Sequence, residues 1–123
     1  MTSSPADLMR RNLLDVFNEP DPARRAAAIA DTYTEDVVWH EQDRIVHGRK
    51  DLERRAEELR AENPDWVFRP VGSASELDDI GHLGFQYGPA DQPPVVSGMD
   101  IARTEDGVII ELYTIVTEIR QPS

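Results

Sequence analysis

The chain has 123 residues, 13 basic and 24 acidic, a formal charge of −11, and no cysteine. That length suits one domain, expected over 1–123 with a core from about residue 5 to 118. A surface this negative repels nucleic-acid phosphates and anionic membranes, and the lack of cysteine excludes disulfides, thiol nucleophiles and zinc–thiolate sites.

From the N-terminus, Ser4-Pro5-Ala6-Asp7 opens a helix: Ser4 caps, Pro5 suits the first helical position and Asp7 completes a capping box. Met9, Leu13, Val16 and Phe17 recur at helical spacing, and Leu8 and Leu14 widen that face. Pro20 and Pro22 end the helix near Asn18. Met1 to Arg11 lacks the apolar stretch of a secretory signal, and no window is apolar enough to span a membrane, so a cytoplasmic chain is expected. Asp21-Pro22 starts a second helix whose stripe is Ala26, Ile29, Ala30 and Tyr33. Val37 to Glu41 reads as a strand and Ile45-Val46-His47 as its return. Gly48 then frees the chain to turn into a charged helix, Arg49 to Glu62, with Leu52, Ala56 and Leu59 inward and the charges forming a solvated face. Asn63-Pro64 stops it.

Strands follow over Trp66 to Ser73, Ile80 to Tyr87, Val95 to Thr104 and Val108 to Ile119. In the second of these, Leu83, Phe85 and Tyr87 share one face and His82, Gly84 and Gln86 the other. Asp106-Gly107 is a hairpin signal between the last two. Helices first and a meander later predict an α+β fold, a curved, mainly antiparallel sheet with three helices on one face. Such a cone encloses an apolar cleft, the usual setting of a small-molecule site.

Three stretches add a resemblance. They are Ala30-Asp31-Thr32-Tyr33-Thr34-Glu35-Asp36-Val37-Val38-Trp39, Val46-His47-Gly48-Arg49-Lys50-Asp51-Leu52, and Gly98-Met99-Asp100-Ile101 followed by Glu105-Asp106-Gly107-Val108-Ile109. In order and spacing they resemble the helix-to-strand junction, the glycine turn and the last hairpin of the nuclear transport factor two-like superfamily. That superfamily includes SnoaL-like polyketide cyclases and ketosteroid isomerases. The resemblance implies a cone-shaped, cystatin-like roll and leaves the activity open, because the superfamily holds enzymes, carriers and binding modules.

By the same resemblance, Glu41 falls where ketosteroid isomerases carry their proton-shuttling base. Trp39, two residues earlier, shares its face of the strand. The plainer reading of Glu41 is a solvated hairpin-end glutamate, since one residue of register slip turns it outward. Asp100 lies mid-strand among Val95, Val96, Met99 and Ile101 and is expected to point inward. It is either a hydrogen-bonding acid of the site or a structural carboxylate held by the indole of Trp39 or the ring of His82. The first helix has no tyrosine where the isomerases place one. In the SnoaL-like cyclase pattern, His82 and His40 are candidate partners of Asp100. The Asp-Arg-Asp set of limonene epoxide hydrolases is weakly echoed by Arg103, whose odd offset from Asp100 sends it to the other sheet face.

Phe17, Val16, Tyr33, Trp39, Trp66, Phe68, Phe85, Tyr87 and Tyr113 are the candidate pocket residues. His40 and His47 flank the hairpin and are placed to face each other across it, but His40 and Glu41 point to opposite faces, so no metal site is expected. No cofactor motif is present. The expected ligand is a small, mostly apolar organic molecule, with isomerisation, cyclisation or hydration as the chemistry. The alternatives are a non-catalytic carrier or a dimeric binding module. A homodimer is implied through the outer sheet face, where Val67, Val71, Ile110 and Leu112 are expected.

Overall fold

A computed structural model describes residues 3–120; Met1, Thr2 and residues 121–123 of the expected domain lie outside the described residues. Helix α1 (Pro5–Arg11) starts where the Ser4 hydroxyl accepts the Asp7 N–H at 3.1 Å. The chain continues as a π-helical segment, Asn12–Phe17, closed by the Asn18 N–H donating to the Leu13 carbonyl at 3.0 Å. This wider turn buries Asn12, Leu13, Val16 and Phe17 together. Leu14 is 40% exposed, so it does not join that face.

Helix α2 (Pro22–Thr32) is capped by Asp21, whose carboxylate accepts the Arg24 N–H at 2.9 Å. Its buried face is Arg25, Ile29 and Thr32; of the expected stripe Ile29 and Tyr33 are buried, Ala26 is half-buried and Ala30 is exposed. Arg25 is 3% exposed, yet its Nε and Nη1 have no partner among the described residues, and Nη2 reaches only the Pro20 carbonyl at 3.5 Å. A desolvated cation with so few acceptors costs more than an apolar chain of similar length. Arg25→Met is therefore expected to stabilise the fold by about 1–3 kcal/mol in urea unfolding.

Strand β1 (Tyr33–His40) follows directly, β2 (Ile45–His47) returns antiparallel, and Gly48, at φ +84°, turns the chain into α3 (Gly48–Glu62). Then come β3 (Trp66–Leu77), β4 (Ile80–Pro89), β5 (Val96–Glu105) and β6 (Val108–Ile119). Asp106 and Gly107 both have positive φ (53° and 81°), as the turn between β5 and β6 requires. The six strands lie in the order β2-β1-β6-β5-β4-β3. All neighbours are antiparallel except β1 with β6. Helix α1 packs on β3, β4 and β5, and α3 on β1 and β2. The predicted α+β architecture, three helices against an open and mostly antiparallel sheet, is the one observed.

One irregularity in β6 decides which side chains face inward. Thr104 pairs with Ile109 but Arg103 pairs with Glu111, which leaves Ile110 as an extra residue. Such a bulge reverses the alternation beyond it. Leu112 is accordingly 0% exposed, so it cannot serve an outer-face interface. Tyr113 and Ile115, 38% and 45% exposed, point outward. Tyr113 stacks on His40 at 4.4 Å outside the sheet, so it is not a pocket residue.

Candidate functional site

The helices and the concave sheet face leave a cavity of about 270 Å³. Its wall is mainly aromatic. Phe17 lies 4.9 Å from Trp39, Phe68 stacks on Tyr87 at 4.0 Å, and Trp66 meets Tyr87 edge-on at 5.0 Å, with Phe85 beside Phe68. A second groove, between the outer flanks of α1 and α2, is open and lined by Arg11, Asp15, Glu19, Arg24 and Asp31, which suits solvent better than an organic ligand.

Asp100 lines the cavity as expected and is 5% exposed. Strand pairing sets it beside Leu83 of β4 and opposite Thr114 of β6. Its Oδ1 accepts the Thr114 hydroxyl at 2.6 Å and its Oδ2 accepts the Asn12 amide at 3.0 Å. Neither expected structural partner touches it. The Trp39 indole donates to Thr114 Oγ1 at 2.9 Å instead, and His82 faces outward beside Ser75. Burial pushes the Asp100 carboxyl up to about 6, against the two hydrogen bonds that favour its charged form.

Tyr33 is fully buried behind the wall rather than on it, and its hydroxyl donates to Asn12 Oδ1. Burial, with the Asp100 charge adding to it, holds that phenol well above its ordinary range. Val16 is likewise sealed in the core and does not reach the cavity.

Glu41 does line the cavity, on the same side as Trp39. It is gripped there by Arg55 of α3, whose Nε and Nη2 donate to its two carboxylate oxygens at 3.0 and 3.3 Å. A carboxylate clamped in this way is an anchor for the rim rather than a free base. Helix α3 thus carries more than a solvated face. Glu58 and Glu62 also stand 3.8 and 3.9 Å from Arg55 Nη1.

His40 bonds Glu111 at 2.8 Å on the outer sheet face, and Arg103 reaches the same carboxylate at 3.2 Å, so neither joins Asp100. His40 pairs with Ile45 and His47 with Val38, so the two histidines do not meet across the hairpin. Among the described residues no three potential ligands gather to hold a metal ion. Asn12, Thr114 and Arg55 are the functional positions that the sequence reading leaves unassigned. Of these, Asn12 carries a signal, because a polar residue at helical spacing between Leu8 and Val16 must find a buried partner.

Residues 11–112 match the sequence profile of the SnoaL-like domain. Among curated proteins the sequence has no match. Three solved structures share the fold at low identity. One is a candidate isomerase of the SnoaL-like family from Agrobacterium tumefaciens str. C58, with TM-score 0.82, 17% identity, and 89% of this chain and 94% of that chain covered. A candidate polyketide cyclase from Sinorhizobium meliloti gives 0.70 at 16% identity, covering 88% and 93%. A candidate ketosteroid isomerase from Kribbella flavida DSM 17836 gives 0.73 at 19% identity, covering 99% and 84%. With the profile spanning most of its length and the cone-like fold around a pocket in agreement, this chain belongs to the SnoaL-like domain family.

Proposed function

We propose that the chain binds a small, uncharged, largely apolar organic molecule in the 270 Å³ cavity and moves a proton on it through Asp100. The observation that carries this reading is a nearly fully buried carboxylate, without a cation in contact among the described residues, in a wall built mainly of aromatic and aliphatic side chains. A group whose affinity for a proton lies near neutrality can both take and return one. The balanced step is simple. A C–H bond next to a substrate carbonyl breaks, Asp100 gains the proton, and the electron pair moves into the carbonyl as an enolate. When the enolate is conjugated with a C=C bond, return of the proton from Asp100 to the far carbon completes an isomerisation. Attack of the enolate carbon on a second carbonyl, with Asp100 returning its proton to the alkoxide that forms, completes a ring closure. No cofactor is needed for either.

The lining sets the substrate class. Asp100 and Glu41 bring two carboxylates and Arg55 one cation, already committed to Glu41, so the cavity repels carboxylates and phosphates. Its volume lies just below the roughly 300–1,000 Å³ of drug-sized sites, which favours one or two rings over a steroid. Self-association through the outer sheet face and a cytoplasmic setting belong to the same reading. Exposed Tyr113 and Ile115 and the cysteine-free composition support them.

Both tryptophans of the chain, Trp39 and Trp66, line the cavity, so indole fluorescence reports on it directly. Neutral two-ring aromatic ketones are expected to quench that fluorescence saturably, their carboxylated analogues at least about tenfold more weakly. Val116→Phe, which fills the cavity from β6, should abolish the effect. Quenching unaltered in Val116→Phe would remove the cavity as the binding site. Binding without turnover by any such ketone would leave a carrier.

A further inference from the structure

We infer that the buried chain Tyr33–Asn12–Asp100–Thr114–Trp39 is polarised inward from both ends, so that Asp100 stands as a proton acceptor and Tyr33 and Trp39 act as positioning residues that hold it so. This rests on the proposed role of Asp100 and deepens it, because the same buried acid in the opposite state would be a hydrogen-bond donor to an enolate.

The direction follows from what each group can give. An indole N–H only donates. Trp39 Nε1 therefore occupies a lone pair of Thr114 Oγ1 and leaves the hydroxyl proton to point at Asp100 Oδ1, 2.6 Å away. At the other end the Tyr33 hydroxyl donates to Asn12 Oδ1. That fixes the amide with its NH₂ toward Asp100 Oδ2, at 3.0 Å. Both Asp100 oxygens thus meet donors, and both donors are oriented from behind by a residue that does not touch Asp100. A protonated Asp100 would set its O–H against one of them.

The elements packed around Asp100 leave few other charges to account for its behaviour. Glu41 from the end of β1 and Arg55 from α3 line the same cavity but are paired with each other. Tyr87 from β4 donates to the Leu59 carbonyl at 3.2 Å. The inward residues of α1 and of β6 are uncharged, and His82 lies beyond the sheet. Burial raises this carboxyl, and hydrogen-bond polarity is the means by which the fold opposes that rise and favours the charged form.

The test reads Asp100 by its carboxyl ¹³C signal across a pH titration of the ligand-free full chain, with Asp100→Asn identifying the resonance. Wild type should titrate once and be ionised at pH 8. Tyr33→Phe frees the Asn12 amide to turn, and Trp39→Phe frees the Thr114 hydroxyl to accept. Each is expected to raise the midpoint by about 0.5–1 pH unit, and Thr114→Val by at least as much. Leu52→Val, a core change on α3, should lower stability without moving it. The inference falls if Asp100 remains protonated at pH 8, if Tyr33→Phe and Trp39→Phe leave the midpoint in place, or if Leu52→Val moves it equally. Because no substrate enters this titration, failure to find any turnover would strike the proposed function alone.

Discussion

Asp100→Asn is expected to reduce turnover of the cavity's substrate by about 10²–10⁴-fold and to keep ligand binding and the fold. The same substitution has a signature that needs no substrate. A carboxyl raised from 3.8 to about 6 in the folded state binds a proton more tightly there than in the unfolded chain. Below about pH 4 both states hold the proton and Asp100 does not bias folding. Between about pH 4 and 6 the folded state retains it while the unfolded state releases it, so stability falls as pH rises. Above about pH 6 the full cost stands, about 3 kcal/mol at 1.36 kcal/mol per pKa unit. Asp7 and Glu111 have lowered carboxyls and slope the other way, so the measurement is the difference between wild type and Asp100→Asn in urea unfolding. That difference should shift by about 2–3 kcal/mol in favour of the variant from pH 4 to pH 7. A difference constant across that range would mean that Asp100 is not held against its charge, and its use as a proton-transfer group would lose its basis.

What the sequence makes legible here follows the range of each signal. Local chemistry reads well. The caps at Ser4 and Asp21, the turn at Gly48 and the Asp106-Gly107 hairpin all act within four residues, and each element starts or turns where they stand. Asp100 reads well too, since a lone carboxylate inside an apolar strand must point into a site or find buried donors. Its partners do not, because they depend on register. Counting back from the Asp106-Gly107 turn without interruption sets Tyr113 opposite Asp100 and sends Thr114 outward. The extra residue at Ile110 sets Thr114 there instead. Nothing local marks Ile110, which looks like any other β-branched strand residue. The bulge is favoured by long-range fit, where β6 must also pair in parallel with β1. The Glu41–Arg55 clamp is equally non-local, joining the end of β1 to the middle of α3.

That one-residue shift has the second large consequence. Leu112 is fully buried, so Leu112→Ala is expected to cost about 2–5 kcal/mol, enough to unfold much of a small domain at moderate urea. Tyr113, next in the chain and larger, loses its stack on His40, an exposed hydrogen bond to Glu111 and part of a half-exposed ring, so Tyr113→Ala should cost about 1 kcal/mol. An unbroken alternation predicts the reverse ranking, because it turns Tyr113 into the core and Leu112 into solvent. Equilibrium urea unfolding of the two variants therefore decides the register of β6. The site depends on the same decision, since the register that buries Leu112 also turns Thr114 toward Asp100. If Tyr113→Ala proved the more damaging, Thr114 would face outward, Asp100 would lose its closest donor, and the cavity would need a different floor.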